Sequence, residues 1–291
     1  MNLNRMLIGC LIGTLTGIAA ADDVAGTSLQ KLHKKFWNYE NAAHLLRRAG
    51  FGGTPEQVQA LVNMGHKAAV NSLVDYDRIE WAIAPPPTDP LLLEPPPSRE
   101  QLRELSEDQR REMQNQRRRA QRRTFEELRL WWIDRMVHSP RAFEEKMTLF
   151  WHGHFTSGMR EVRNPFFMRE QNELLRDHAL GNFRDLLVGI CRDRAMLVYL
   201  DNARNVKRKP NENFARELME LFSLGVGNYT ESDIKSAARA FTGWAYDSDG
   251  FEFRAKQHDY GRKRFLGKVG RWNGLDIIDM IMAQPACSQF L

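Results

Sequence analysis

Apolar residues recur at helical spacing over most of the 291-residue chain, and capping side chains bound the stretches, which predicts a mainly α, multi-helix globular domain. Thr54-Pro55, Ser139-Pro140 and Asn164-Pro165 each set a capping side chain before a proline at the first helical position; Asn182, Asn211 and Thr230 read as further caps. Gly50, Gly65 and Gly225 stand where a left-handed residue closes a helix. The expected helices are 39–49, 55–64, 66–75, 98–138, 140–152, 165–180, 182–192, 194–200, 211–224, 231–243 and 274–283. Strand signals are sparse: Phe251-Glu252-Phe253 and Arg264-Phe265-Leu266 predict at most one small β-hairpin near 251–266.

One region interrupts this pattern. Residues 85–97 hold seven of the 12 prolines and predict a stiff linker. From Gln109 to Arg123 there are seven Arg against one Glu, with only Met113 and Ala120 apolar, so this stretch is solvated, projecting or docked on something acidic. The expected organisation is a helical part over 39–81, a linker and Arg-rich arm over 82–124, and a main helical part over 125–291 in the same domain as 39–81. The formal net charge of +5 is too mild to imply nucleic acid. Arg117, Arg118 and Arg119 are candidate contacts to an acidic polysaccharide or other anionic surface.

The N-terminus narrows the setting. One positive charge in Met1 to Arg5, an apolar run over 6–20 and the small residues Ala19-Ala20-Ala21 predict a cleavable signal peptide over 1–21, then a flexible mature N-terminus over 22–38. The expected location is periplasmic or extracellular, with no transmembrane span in the mature chain. Cys10 lies too close to Arg5 for lipoprotein anchoring. Cys191 sits in an apolar pattern that favours a buried thiol over a disulfide with Cys287, and neither has metal-site spacing.

Projecting the helices shows which polar groups fall inside apolar arcs. Gln171 and His178 share the arc of Phe167, Met168, Leu174 and Leu175, and Lys146 falls in the arc of Ala142, Phe143, Leu149 and Phe150. A buried ammonium needs a partner; Glu217, flanking the direction of Leu224 with Asn213, is a candidate to pair with Lys146 or His178. Glu212, Arg216 and Glu220 form a surface ladder. His152 and His154 flank Gly153, and on an extended or turning backbone both reach one divalent metal. Lys146, His178 and Glu217 are thus candidate catalytic residues, His152 and His154 candidate metal ligands, and Gln171 and Asn213 candidate binding residues. His258-Asp259-Tyr260 reads as a loop hydrogen-bond cluster. There is no nucleophile elbow, Walker loop, dinucleotide-binding glycine pattern or His-Glu-x-x-His helix.

The runs Ala43-His44-Leu45-Leu46-Arg47-Arg48-Ala49-Gly50-Phe51-Gly52, Glu145-Lys146-Met147-Thr148-Leu149-Phe150-Trp151-His152-Gly153-His154-Phe155, Pro210-Asn211-Glu212-Asn213-Phe214-Ala215-Arg216-Glu217-Leu218-Met219-Glu220-Leu221 and Ala240-Phe241-Thr242-Gly243-Trp244 resemble an exported bacterial family, domain of unknown function 1800. The resemblance implies a helical secreted or periplasmic domain without an agreed activity, often encoded beside a sulfatase-like exported family, number 1501, and a chain shortened at its C-terminus. Two readings follow. One is a hydrolase-type enzyme with a buried His/Lys/Glu cluster and a divalent metal; the other is a non-catalytic envelope or extracellular protein acting with a partner.

Overall fold

The computed structural model describes residues 32–86, 89–93 and 98–291, so the signal peptide expected over 1–21 and Cys10 lie outside the described residues. Within them the helices are α1 (Tyr39–Arg48), α2 (Pro55–Met64), α3 (His66–Val74), α4 (Pro90–Leu93), α5 (Arg99–Glu104), α6 (Glu107–His138), α7 (Ala142–His154), α8 (Met159–Val162), α9 (Pro165–Asp177), α10 (Phe183–Arg192), α11 (Arg194–Tyr199), α12 (Glu212–Glu220), α13 (Glu231–Ala240), α14 (Gly274–Met282) and α15 (Pro285–Phe290). The fold is mainly α, as the periodicity predicts. No described helix is long and apolar enough to cross a membrane.

The main core is built from residues such as Phe155, Leu175, Ile190, Leu197, Phe214, Leu218, Phe241, Phe265 and Ile278. A smaller cluster, Ala42, Leu46, Val58, Leu61 and Ala69, holds α1, α2 and α3 together. Cys191 and Cys287 are free, buried thiols.

Several boundaries differ from the sequence expectation for local reasons. The helix expected over 98–138 breaks at Leu105 because Ser106 and Gln109 form a capping box that starts α6 afresh. Ser139 does not cap α7; its hydroxyl accepts from the Arg141 N–H at 3.0 Å and the helix begins at Ala142. The proline-rich segment is not uniformly extended, since α4 forms within it and packs on α6. Asp89 fixes that contact by accepting from the Leu91 N–H and from Arg123 at 2.7 Å, while Ala120 and Thr124 are buried. The Arg-rich arm is therefore docked on its own chain along part of its length.

The β structure is two hairpins rather than one. β1 (Trp244–Tyr246) pairs with β2 (Phe251–Phe253), and β3 (Lys263–Phe265) pairs with β4 (Lys268–Gly270). Asp247 closes the first turn by accepting from the Asp249 and Gly250 N–H groups. Leu266, read from sequence as strand, has φ +44° and with Gly267 makes the second turn.

Gly243 ties this region to the helices: its N–H donates to the Asn205 carbonyl and its carbonyl accepts from the Arg254 N–H. Its φ is +79°, and an added Cβ would lie 2.7 Å from the Arg254 oxygen. Gly243→Ala is expected to cost about 1–3 kcal/mol for the left-handed backbone, with the clash added; denaturant unfolding measures it, and an unchanged midpoint would contradict the geometry.

A second network joins α9 to α11. Asp193 caps α11, its Oδ2 accepting from the Met196 N–H and from Gln171 Nε2, each at 2.8 Å, and the Ser157 hydroxyl donates to Gln171 Oε1. Burial pushes the Asp193 carboxyl up to about 7, against the capping and Gln171 hydrogen bonds. An unfolded Asp ionises near ~3.9, so between about pH 4 and pH 7 the folded state binds the extra proton and this group's contribution to stability falls as pH rises. Asp193→Asn keeps an acceptor oxygen and removes the charge. Its melting temperature should vary less with pH across that window than the wild type's, and identical slopes would rule out the assignment.

Candidate functional site

The site is set by the rotation of α7. Glu144, Glu145 and Thr148 face inward, followed along the same side by half-buried Trp151 and His152 and by buried Phe155, whereas Leu149 and Phe150 are 38% and 50% exposed. The apolar arc expected around Lys146 is thus turned outward. Lys146 is half-buried, with its ammonium 5.2 Å from the centre of the Phe51 ring.

Glu145 decides this rotation. Its Oε1 accepts from Arg135 Nε at 2.7 Å and Arg176 Nε at 2.8 Å; its Oε2 accepts from Arg176 Nη2 at 3.1 Å and Trp132 Nε1 at 3.2 Å. The carboxylate is fully buried, and although burial pushes its pKa up, the two guanidiniums outweigh this and hold it below the usual range. Burial raises the neighbouring Glu144 carboxyl, while Arg141 opposes the shift. Arg135 and Arg176 also lie over the Trp131 ring, and Arg135 over Trp81.

With α7 so placed, its last residue His154 reaches a cavity of about 400 Å³ whose other walls include Thr156, Glu161, Tyr199, Asn213 and Glu217. His154 Nε2 donates to the Phe222 carbonyl at 2.9 Å, which leaves Nδ1 as the free ring nitrogen. The rings of Phe155 and Trp151 stand edge-on to it. Burial lowers the His154 pKa, so the ring is neutral near pH 7. Glu217 moves the other way: burial and then nearby Glu220 raise its carboxyl, with Arg216 opposing. Among the described residues neither Glu161 nor Glu217 is in an ion pair, and the cavity has no Lys or Arg in its wall.

Three of the residues singled out from sequence, His154, Asn213 and Glu217, therefore share one cavity, and they come from two separate motifs. The others go elsewhere. Gln171 is fully buried, but it serves the Asp193 network. His178 follows α9 and donates from Nδ1 to the Leu174 carbonyl at 3.0 Å. Lys146, His178 and Glu217 make no ion pair with one another. Glu217 is half-buried and Asn213 exposed, with its Nδ2 donating to the Leu200 carbonyl. In the expected surface ladder Arg216 pairs chiefly with Glu231, and Glu220 accepts from the Tyr229 hydroxyl.

The two histidines do not converge. α7 continues through Gly153 to His154, so residues two apart point about 200° from each other. His152 instead packs edge-on against Trp132 at 5.0 Å, its Nδ1 buried without a partner and its pKa lowered by burial. Among the described residues no three His, Cys, Asp or Glu side chains are grouped to hold a metal ion, so the residues present do not fit the expected divalent site. His258 takes part in a loop hydrogen-bond cluster, as expected, and is buried, its Nδ1 donating to the Thr242 carbonyl at 2.8 Å beside the Asp259–Arg239 pair.

Arg118 and Arg119 are exposed on α6, and Arg117 is half-buried there. Glu161 and Tyr199 also line the cavity and are not among the residues singled out from sequence. Glu161 lies in a four-residue helix too short to show periodicity, and Tyr199 reads as part of an apolar helix.

Neither a curated protein nor a solved structure matches the chain. A family model described as "Protein of unknown function (DUF1800)" matches residues 44–291, which include both motifs that meet in the cavity. The chain belongs to the DUF1800 family.

Proposed function

We propose that this protein is a hydrolase-type enzyme whose acid–base chemistry takes place in the cavity between α7 and α12. One observation carries the reading: His154, Asn213 and Glu217, from two distant motifs, line the same cavity with unpaired Glu161. A carboxylate held above its ordinary range is a stronger base, so Glu217 takes the proton of an attacking water. Neutral His154 offers Nδ1 as a second acceptor, its ring fixed by the Phe222 carbonyl. The side chains of Asn213 and Thr156 supply polar contacts to orient a substrate. No step calls on a metal. The N-terminal segment supports action in the periplasm or outside the cell.

A second reading is a non-catalytic envelope protein acting with an exported, sulfatase-like partner. It is favoured by the way Glu145 and Gln171 are consumed in networks that fix helix position without chemistry.

Chromogenic esters, glycosides, phosphate monoesters and sulfate monoesters test the enzyme reading. Wild-type turnover of one class is expected, with kcat/KM reduced about 10²–10⁴-fold by Glu217→Gln at an unchanged melting temperature. Activity should rise with pH through the elevated Glu217 pKa, because the base must be ionised. Full activity of the Gln variant, or no wild-type turnover of any of the four classes, would overturn the proposal.

A further inference from the structure

Beside the cavity lies a larger groove, about 720 Å³, walled on one side by α6 and on the other by α8 and the residue that follows it. Its lining includes six arginines: Arg118, Arg119, Arg122 and Arg129 from α6, and Arg160 and Arg163 across the gap. Glu126 is the one carboxylate in the wall, and it pairs with Arg129. Among the described residues the other five guanidiniums have no ion-pair partner.

Gathering like charges from two segments opposes folding unless something neutralises them. Here the charges are also positioned. Arg163 closes α8 in a left-handed conformation, φ +54°, and its Nε donates to the Arg160 carbonyl at 3.0 Å, so the two side chains are carried on one tight turn. Guanidiniums are planar forks suited to carboxylate and sulfate oxygens. Phe125 and Met159 add apolar side chains to the groove's lining, and the amides of Asn115 and Gln121 add hydroxyl-binding groups.

We infer that this groove binds an acidic polysaccharide, a chain bearing carboxylate or sulfate groups, through arginines on both walls. The shape favours a chain that lies between the walls over a flat bilayer surface. A sugar ring can pack against Phe125 and Met159 with its hydroxyls on the amides. Single-stranded nucleic acid would need a succession of aromatic platforms, and the lining holds only Phe125. The helix α8 also carries Glu161 into the neighbouring cavity, so a chain seated in the groove passes next to that site. The binding inference does not rest on the cavity being catalytic.

Binding is measured by titration calorimetry of the full mature chain with three probes: a sulfated heparin oligosaccharide, a single-stranded DNA oligonucleotide of matched charge, and vesicles of phosphatidylserine in phosphatidylcholine. The oligosaccharide should bind tightest, with affinity falling as salt rises. One variant carries Arg118→Gln, Arg119→Gln and Arg122→Gln; the other carries Arg160→Gln and Arg163→Asn, where Asn tolerates the left-handed backbone. Each should weaken oligosaccharide binding at least about tenfold while leaving the circular-dichroism melt unchanged. Undiminished binding by the Arg160/Arg163 variant would mean that the α6 charges act alone, and would overturn the two-walled groove. Tighter binding of DNA or vesicles than of the oligosaccharide would overturn the ligand class.

Discussion

The structure turns on a carboxylate with no access to water. Glu145 accepts four hydrogen bonds, from Arg135 and Trp132 on α6 and from Arg176 on α9, so three helices meet at two oxygen atoms. Burying these charges is costly, and an apolar cluster of equal volume would hold the helices at least as well. What the cluster provides is a unique rotation: with Glu144 and Glu145 buried and Leu149 and Phe150 left 38% and 50% exposed, the helix faces the core only one way once the guanidiniums are in place. Removing Glu145 leaves two buried guanidiniums without their shared carboxylate, whereas removing one arginine leaves the carboxylate paired with the other.

The cavity inherits this constraint. The rotation that buries Glu145 sets His154 at the end of the same helix against Phe222, in the wall of the cavity with Glu217. Beyond it, α8 divides two electrostatic environments. On one side is a cavity with two unpaired carboxylates and no cation, and on the other a groove with six arginines and one acid. A chain with a formal net charge of only +5 thus gathers opposite charges in two neighbouring depressions separated by α8.

Helix existence was legible because its signals are local. Thr54, Asn164 and Thr230 cap through side chains that need only their own next few residues. Helix rotation was legible only where apolar residues decide it. Gln171 points inward beside Leu175 as its arc predicts, whereas Lys146 does not, since α7 is turned by arginines 10 and 31 residues from Glu145. His154, Asn213 and Glu217 were visible as separate candidates, but their meeting in one cavity depends on packing between α7 and α12 that no spacing encodes. Arg160 and Arg163 gave no signal, because their importance comes entirely from lying across from α6. The second hairpin was hidden by Leu266, an apolar side chain on a left-handed turn residue.

A double-mutant cycle on Glu145 and Arg176 tests the central claim most directly. Urea unfolding of Glu145→Gln, Arg176→Gln and the double variant should give a coupling free energy of about 1.5 kcal/mol or more, the double variant being far less destabilised than the two singles together. Additivity within about 0.5 kcal/mol would mean that the carboxylate and guanidinium act independently, and that α7 owes its rotation to something else.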